Sequence, residues 1–313
     1  MEQILKDNPK DVRFVYRYFP LISIHDKAAL AVQAAQSAGA QGKFWEMHDL
    51  LFQKQSEWAS LSVADFQTWL LDHAEGLSLD KVKFTTELTS QANITLAKKA
   101  WDENSAIGLP GTPFLVINGN IWPSNVPLNY DNIVAVIKLT TLAKREFSTC
   151  PPMTIDSTKS YAAILHTSKG DITMALYADK APIAVNSFIF LAHNGWFDNV
   201  MFHRVIPGSV AQAGDPSGTG FGTPGYAFDN EISTDLKFDG PGVVGMANAG
   251  PGSNGSQFFI TYTALPSLDG NYTIFGKVIA GLDVAEKLTP RDPSQGSNLP
   301  AGDLILSVTI EEK

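Results

Sequence analysis

With one cysteine, Cys150, in 313 residues, the chain excludes an internal disulfide and a Cys-rich metal site, and redox chemistry says nothing of its compartment. It has no apolar run of the roughly 18 to 20 residues that span a bilayer. The stretch Met1 to Lys10 is charged and lacks the apolar core of a secretory signal, so the chain as written is expected not to be exported. The compartment stays open: outside the cytoplasm if the reading frame starts further upstream, cytoplasmic otherwise. Basic side chains are few, 23 Lys and Arg against 32 Asp and Glu, for a formal charge of −9. Residues 1–146 carry 14 basic and 16 acidic side chains, a net of −2, and residues 147–313 carry 9 and 16, a net of −7. Neither half has the basic stripe that a phosphate backbone needs, which excludes nucleic acid as the main partner. Internal repeats and low-complexity tracts are absent.

What is present is a hydrophobic content of 44% with 18% charge, as in soluble globular chains, and a length that predicts two domains. Only six of the 25 glycines precede residue 147, so the halves differ in kind. The first half reads as helix-dominated α/β. Ala28 to Ala40 is Ala/Gln-rich, and Phe44, Met47, Leu50 and Leu51 recur at helical spacing, as do Phe66, Leu70 and Leu71. A helical run from about Leu88 to Ile107 meets the stop signals Gly108 and Pro110, and Asn132 to Glu146 reads as a closing helix. Strands are expected at Val12 to Tyr18 and at Phe114 to Ile117, the latter followed by an Asn118-Gly119 turn. The adjacent prolines Pro151 and Pro152 block helix and mark a short, stiff linker.

The second half reads as β. Tyr161 to His166 and Ile172 to Tyr177 alternate around a Lys169-Gly170 hairpin signal. Ala181 to His193 has helical spacing with Pro182 in its first turn. Short apolar segments follow at Met201–Val205, Val243–Met246, Phe258–Thr261 and Thr273–Val278, then a second helix at Leu282 to Leu288 and a last strand at Leu304 to Ile310. Many short strands between glycine turns predict a closed barrel or sandwich.

Two segments of this half are specific. One is Phe202-His-Arg-Val-Ile-Pro-Gly-Ser-Val-Ala-Gln-Ala-Gly-Asp215, continuing through Gly218-Thr-Gly-Phe-Gly-Thr-Pro-Gly225. The other is Met246-Ala-Asn-Ala-Gly-Pro-Gly-Ser-Asn-Gly-Ser-Gln-Phe-Phe-Ile-Thr261, followed by Leu268-Asp-Gly and Phe275-Gly-Lys-Val. In order and spacing they resemble cyclophilin-type peptidyl-prolyl cis-trans isomerases over about residues 158–312. The resemblance implies an eight-stranded antiparallel closed barrel with two capping helices and a substrate groove on its outer surface. It places Arg204 at the family's catalytic arginine and Gln212 at the position that binds substrate backbone and steadies it. Val210, Phe259 and Leu268 match the proline pocket, and Ala247 and Asn248 the edge where the peptide docks. Ser209, Ser267 and Tyr272 depart from the family, which usually has a large aromatic, a Trp and a His there. Loss of the aromatic at Ser209 removes part of the pocket wall, where a buried ring contributes roughly 1.5–3 kcal/mol, and predicts a modest or selective enzyme.

The residue types suit the task. Rotation of an X–Pro bond breaks amide resonance behind a barrier of roughly 18–20 kcal/mol, and no bond is made or cut. An apolar seat for the ring and a fixed donor to the pyramidal prolyl nitrogen suffice, and a guanidinium is always charged and rigid. No cofactor is called for. His203 reads as structural beside the arginine. The glycines of 218–225 lack the strand and helix that flank a phosphate loop and read as turns. Asn254-Gly-Ser matches a glycosylation sequon, without a secretory context to support it.

In the first half, Val12-Arg-Phe-Val-Tyr-Arg-Tyr-Phe-Pro-Leu21, His25-Asp-Lys-Ala-Ala and Gly42-Lys-Phe-Trp-Glu-Met-His-Asp-Leu-Leu51 resemble thioredoxin-fold disulfide oxidoreductases with a helical insertion. Gly108-Leu-Pro-Gly-Thr-Pro-Phe-Leu-Val-Ile-Asn-Gly119 matches their cis-proline loop, which makes Thr112–Pro113 the expected cis bond. The family's Cys-x-x-Cys would precede the helix tail at Met1 to Asn8, so this domain is expected to be incomplete, with an exposed sheet edge or apolar face, and without dithiol chemistry. Either the frame starts upstream or the domain has become a substrate-binding or chaperone-like module. The expected plan is therefore 1–146 thioredoxin-like, 147–158 linker and 159–313 isomerase. The expected function is isomerisation of X–Pro bonds in unfolded or flexible polypeptide; the alternative is a module that binds proline segments without turning them over. A redox folding factor would need cysteines that are absent, and no nucleophile elbow supports a hydrolase.

Overall fold

The computed structural model describes residues 1–296 and 299–312; Lys313, the end of the expected isomerase domain, lies outside them. Three helices in the first compact unit, Met1–Trp122, start where the sequence supplies a side-chain acceptor for an orphan N–H. Ser62, Asp80 and Ser90 each accept from the backbone three residues on, opening α5 (Val63–Gly76), α6 (Lys81–Leu88) and α7 (Gln91–Ala106). The expected helix over 88–107 is α7, and the Ser90 cap is why it starts three residues after Leu88, which ends α6. The other helices here are α1 (Glu2–Asp7), α2 (Ala28–Gly39), α3 (Phe44–Gln53) and α4 (Gln55–Trp58). Alanines of α2 (Ala34, Ala35, Ala38) let its neighbours approach closely, around a core of Met47, Leu51, Phe66, Leu70, Phe84 and Leu88.

The expected strand at Val12 to Tyr18 does not form. A strand needs a ladder partner, and the hairpin strands of this unit, β1 (Val116–Ile117) and β2 (Asn120–Ile121), pair only with each other. The 12–18 segment is held instead by its rings: Tyr16 lies 5.8 Å from Phe44 and 4.7 Å from His48. The β1–β2 turn is Asn118-Gly119, both at positive φ (48° and 84°), as a two-residue hairpin requires. The Thr112–Pro113 bond is cis.

The second compact unit, Pro123–Lys313, begins with α8 (Tyr130–Leu142), whose last residue lies in the core of this unit. Its main sheet is antiparallel throughout: β3 (Tyr161–Thr167), β4 (Gly170–Leu176), β5 (Val200–Met201), β6 (Arg204–Ile206), β7 (Val210–Ala213), β8 (Val243–Met246), β9 (Phe258–Thr261), β10 (Ile274–Ala280) and β11 (Leu304–Glu312). The ladder order is β5-β11-β3-β4-β10-β8-β9-β7-β6, a curled half-barrel of nine strands where eight were expected. In β3, Tyr161, Ala163, Leu165 and Thr167 alternate inward, as one buried face dictates. Two helices pack on the sheet, α9 (Pro182–His193) against β11 and α10 (Leu282–Glu286) against β4. Leu165, Met174, Phe188, Phe197, Phe258, Phe275 and Ile305 fill the interior between them.

Candidate active site

Chain turn and register bring the site together. β6 and β7 are joined by Pro207-Gly208-Ser209, with Gly208 at φ +69°, and the register sets Arg204 opposite Gln212. Gln212 in turn faces Phe259 on β9, Phe259 faces Gly245 on β8, and Gly245 faces Ile274 on β10. Directly opposed residues share a face of the sheet, so one transverse row runs from a cation through an amide to an apolar floor. That floor is a cluster separate from the main core, with Val210, Phe238, Val243, Phe259 and Ile274 buried and Ala247, Leu265, Leu268 and Tyr272 against them. Phe238 stacks on Phe259 at 5.5 Å, and Tyr272 meets Phe259 edge-on at 5.8 Å.

Of the residues singled out from sequence, Arg204, Gln212, Val210, Phe259, Ala247, Leu268 and Tyr272 thus lie on this row or in its floor. Ser209 is held in the β6–β7 turn by its own backbone, its N–H donating to the Ile206 carbonyl and its carbonyl accepting from Tyr262. Ser267 is exposed at the neighbouring turn. The Asn248 side chain is committed within its loop: its amide donates to Asn230 and Asn254, and its oxygen accepts from the Gly250 N–H.

An amide relay orients the cation. Arg204 Nη1 donates to Gln212 Oε1 at 3.5 Å, Gln212 Nε2 donates to Gln257 Oε1 at 3.0 Å, and Gln257 Nε2 donates to the carbonyls of Gly220 and Gly222, each at 3.0 Å. Gln257 was not singled out from sequence, although it stands inside the quoted Ser-Gln-Phe-Phe motif. Gly245 was missed too; a Cβ there would lie 2.7 Å from Phe259 and 2.9 Å from Phe238, so glycine makes room for the floor rings. An isolated glycine inside a strand is the available signal for such an approach. The loop bearing the two carbonyls is organised by Asp215, whose carboxylate accepts from Ser217, Thr219, Gly220 and Gly222. Burial pushes its pKa up, and the hydrogen bonds from Ser217, Gly222 and Gly220 outweigh this and hold it below the usual carboxylate range.

His203 is 3% exposed, and neither ring nitrogen has a hydrogen-bond partner among the described residues. Burial lowers its pKa below 6.5, with Asp215 opposing and Arg204 and Arg291 adding to the fall. A histidine with a depressed folded pKa is neutral in both states at high pH; below the unfolded value the unfolded chain takes up a proton that the fold refuses. The urea midpoint of the sheet is therefore expected to decline from about pH 7 to about pH 5.5, and the decline to flatten in His203→Gln. An unchanged slope in that variant would place the titration elsewhere. Among the described residues no group of three His, Cys, Asp or Glu side chains is placed to hold a metal.

Comparison with known proteins matches residues 162–310 to the family model for cyclophilin type peptidyl-prolyl cis-trans isomerase/CLD and residues 2–138 to the thioredoxin model. Peptidyl-prolyl cis-trans isomerase ppi1 of Schizosaccharomyces pombe is 50% identical over 127 residues, covering 40% of this chain and 82% of that protein. The chain belongs to the cyclophilin-type peptidyl-prolyl cis-trans isomerase family. Probable peptidyl-prolyl cis-trans isomerase A of Mycobacterium bovis is 40% identical over 179 residues, 51% of this chain and 98% of that protein. Peptidyl-prolyl cis-trans isomerase 9 of Schizosaccharomyces pombe is 50% identical over 130 residues, 41% of this chain, of which the chain spans only 21%. The cyclophilin domain follows a thioredoxin-like region, and residues 139–161 fall between the two family matches.

Proposed function

We propose that the chain accelerates cis–trans rotation of X–Pro bonds in unfolded or flexible polypeptides, with Arg204 as the catalytic residue and Gln212 steadying it and the substrate backbone. The observation that carries this is the row from Arg204 through Gln212 to Phe259, which sets a rigid cation beside a buried apolar floor. A prolyl ring seated on Val210, Phe259 and Leu268 places its nitrogen toward the guanidinium. As the amide twists, that nitrogen becomes pyramidal and accepts a hydrogen bond that the planar ground state cannot, so the donor favours the transition state. Ala247 and Asn248 offer the edge for the flanking peptide, and Tyr272 and Ser209 border the seat. With Ser209 and Ser267 in place of large rings, the enzyme is modest.

In this reading the isomerase domain is 159–313, preceded by the segment 147–158, and its sheet closes as an eight-stranded barrel. β5 and β6 are separated only by Phe202 and His203, and they ladder with β11 and β7 respectively, so they act as one bent strand joining the two ends. The full chain is expected to speed exchange of a proline peptide measured by NMR. Peptide binding without acceleration would overturn the proposal and leave a proline-segment-binding or chaperone-like module.

A further inference from the structure

The loop whose carbonyls hold Gln257 touches a segment outside both family matches. Leu142, at the end of α8, is buried, and a Cβ built on Gly222 would lie 2.7 Å from its Cδ2. Phe147 donates its backbone N–H to the Pro224 carbonyl at 2.8 Å, and its own carbonyl lies 2.3 Å from where a Cβ of Gly225 would sit. Its ring packs on Phe190 at 4.9 Å and on Trp196 at 6.1 Å. Between them, Arg145 lies 5.4 Å over the Trp196 ring, whose Nε1 donates to the carbonyl of Gly214, the residue before Asp215.

From these contacts we infer that Leu142 and Phe147 are positioning residues for the isomerase: they brace the 214–225 loop, and through Gln257 and Gln212 that loop sets the Arg204 guanidinium. The physical ground is that this loop forms no strand of its own. Asp215 fixes it from inside, and the 142–147 segment covers it from outside, so close at Gly222 and Gly225 that no side chain fits between. A guanidinium aimed through two flexible amides keeps its direction only while the last acceptors, the Gly220 and Gly222 carbonyls, stay still.

The inference rests on the isomerase reading, and the two are separated by measuring kinetics and side-chain amide resonances on the full chain. In Phe147→Ala and Leu142→Ala, kcat is expected to fall about tenfold with a smaller rise in KM, because the guanidinium acts in the transition state while Gln212 also touches the bound peptide. The side-chain ¹⁵N amide resonances of Gln257 and Gln212 are expected to shift in the same variants. Phe147→Met, which keeps apolar volume, should restore both readouts. Met174→Ala, at a buried position of β4, which has no ladder with β6, β7 or β9, serves as a destabilised core variant whose kcat and amides are expected to stay at parental values. Amides unmoved in Phe147→Ala, or the same loss of kcat in Met174→Ala, would overturn the brace. Should Phe147→Ala not fold, Leu142→Ala carries the same readouts. A parent chain without isomerase activity sinks the isomerase reading, and the amide shifts alone then decide whether the segment holds the relay.

Discussion

Arg204→Ala is expected to lower kcat/KM on a proline peptide by about a hundredfold or more, the loss typical of removing one donor aimed at developing electron density. Stability should barely change. The side chain is exposed, and its one side-chain hydrogen bond among the described residues is the long contact to Gln212. Surface truncations of this kind stay within about 0.5 kcal/mol. Arg204→Lys should recover little, because an ammonium on a flexible stem lacks the planar fork that Gln212 orients. The split between a large kinetic loss and an unmoved urea midpoint is what identifies a residue that acts in the transition state. Equal rates for parent and Arg204→Ala would remove Arg204 from the mechanism.

Asp215→Ala should behave in the opposite sense, costing stability first and activity as a consequence. Its carboxylate is fully buried and accepts the backbone N–H groups of Ser217 (2.8 Å), Gly220 (2.7 Å) and Gly222 (3.1 Å), besides the hydroxyls of Ser217 and Thr219. Removing it strands two buried donors, those of Ser217 and Gly222, at about 1–3 kcal/mol each, and the part-buried one of Gly220, so a loss of about 3 kcal/mol or more is expected in urea unfolding. Asp215→Asn should recover little, since one amide oxygen cannot replace two carboxylate oxygens and its NH₂ would face other donors. Isomerase activity falls along with stability because Gly220 and Gly222 carry the acceptors for Gln257. The carboxyl also dictates a pH dependence. Its folded pKa lies below the unfolded value of about 3.9, so its contribution is complete above that pH and disappears as pH falls through the folded value. The Asp215→Ala variant should lack that acid limb while keeping the one from His203 at higher pH. An unfolding free energy within about 0.5 kcal/mol of the parent would show that the loop holds together without Asp215.

Much of the site could be read from residue order alone. Arg204 and Gln212 face each other because three turn residues between β6 and β7 set the register, and Gly208 at positive φ makes that turn possible. Phe259 joins them because strand alternation puts it on the same face as Gln212. The hairpin at Thr167–Gly170, the Asn118-Gly119 turn and the helix starts at Ser62 and Asp80 are likewise local, each set by one or two residues with a particular backbone or capping chemistry.

Other features depend on partners distant in sequence. Val12 to Tyr18 has strand composition, but a strand exists only where another backbone offers it a ladder. Gln257 has polar composition typical of any turn, and its role arises only because carbonyls 35 and 37 residues away come within hydrogen-bond reach. Phe238 lies outside both quoted motifs and enters the floor because Gly245 vacates the space for its ring. The end of α8 reads as the close of the first half, yet Leu142 is buried and Phe147 partly buried against the second, since apolar side chains settle wherever packing removes them from water. Local chemistry thus set the turns, the caps and the residues of the candidate site. Long-range packing set how firmly those side chains are held, because burial and ladder formation are properties of neighbours that a linear chain does not yet have.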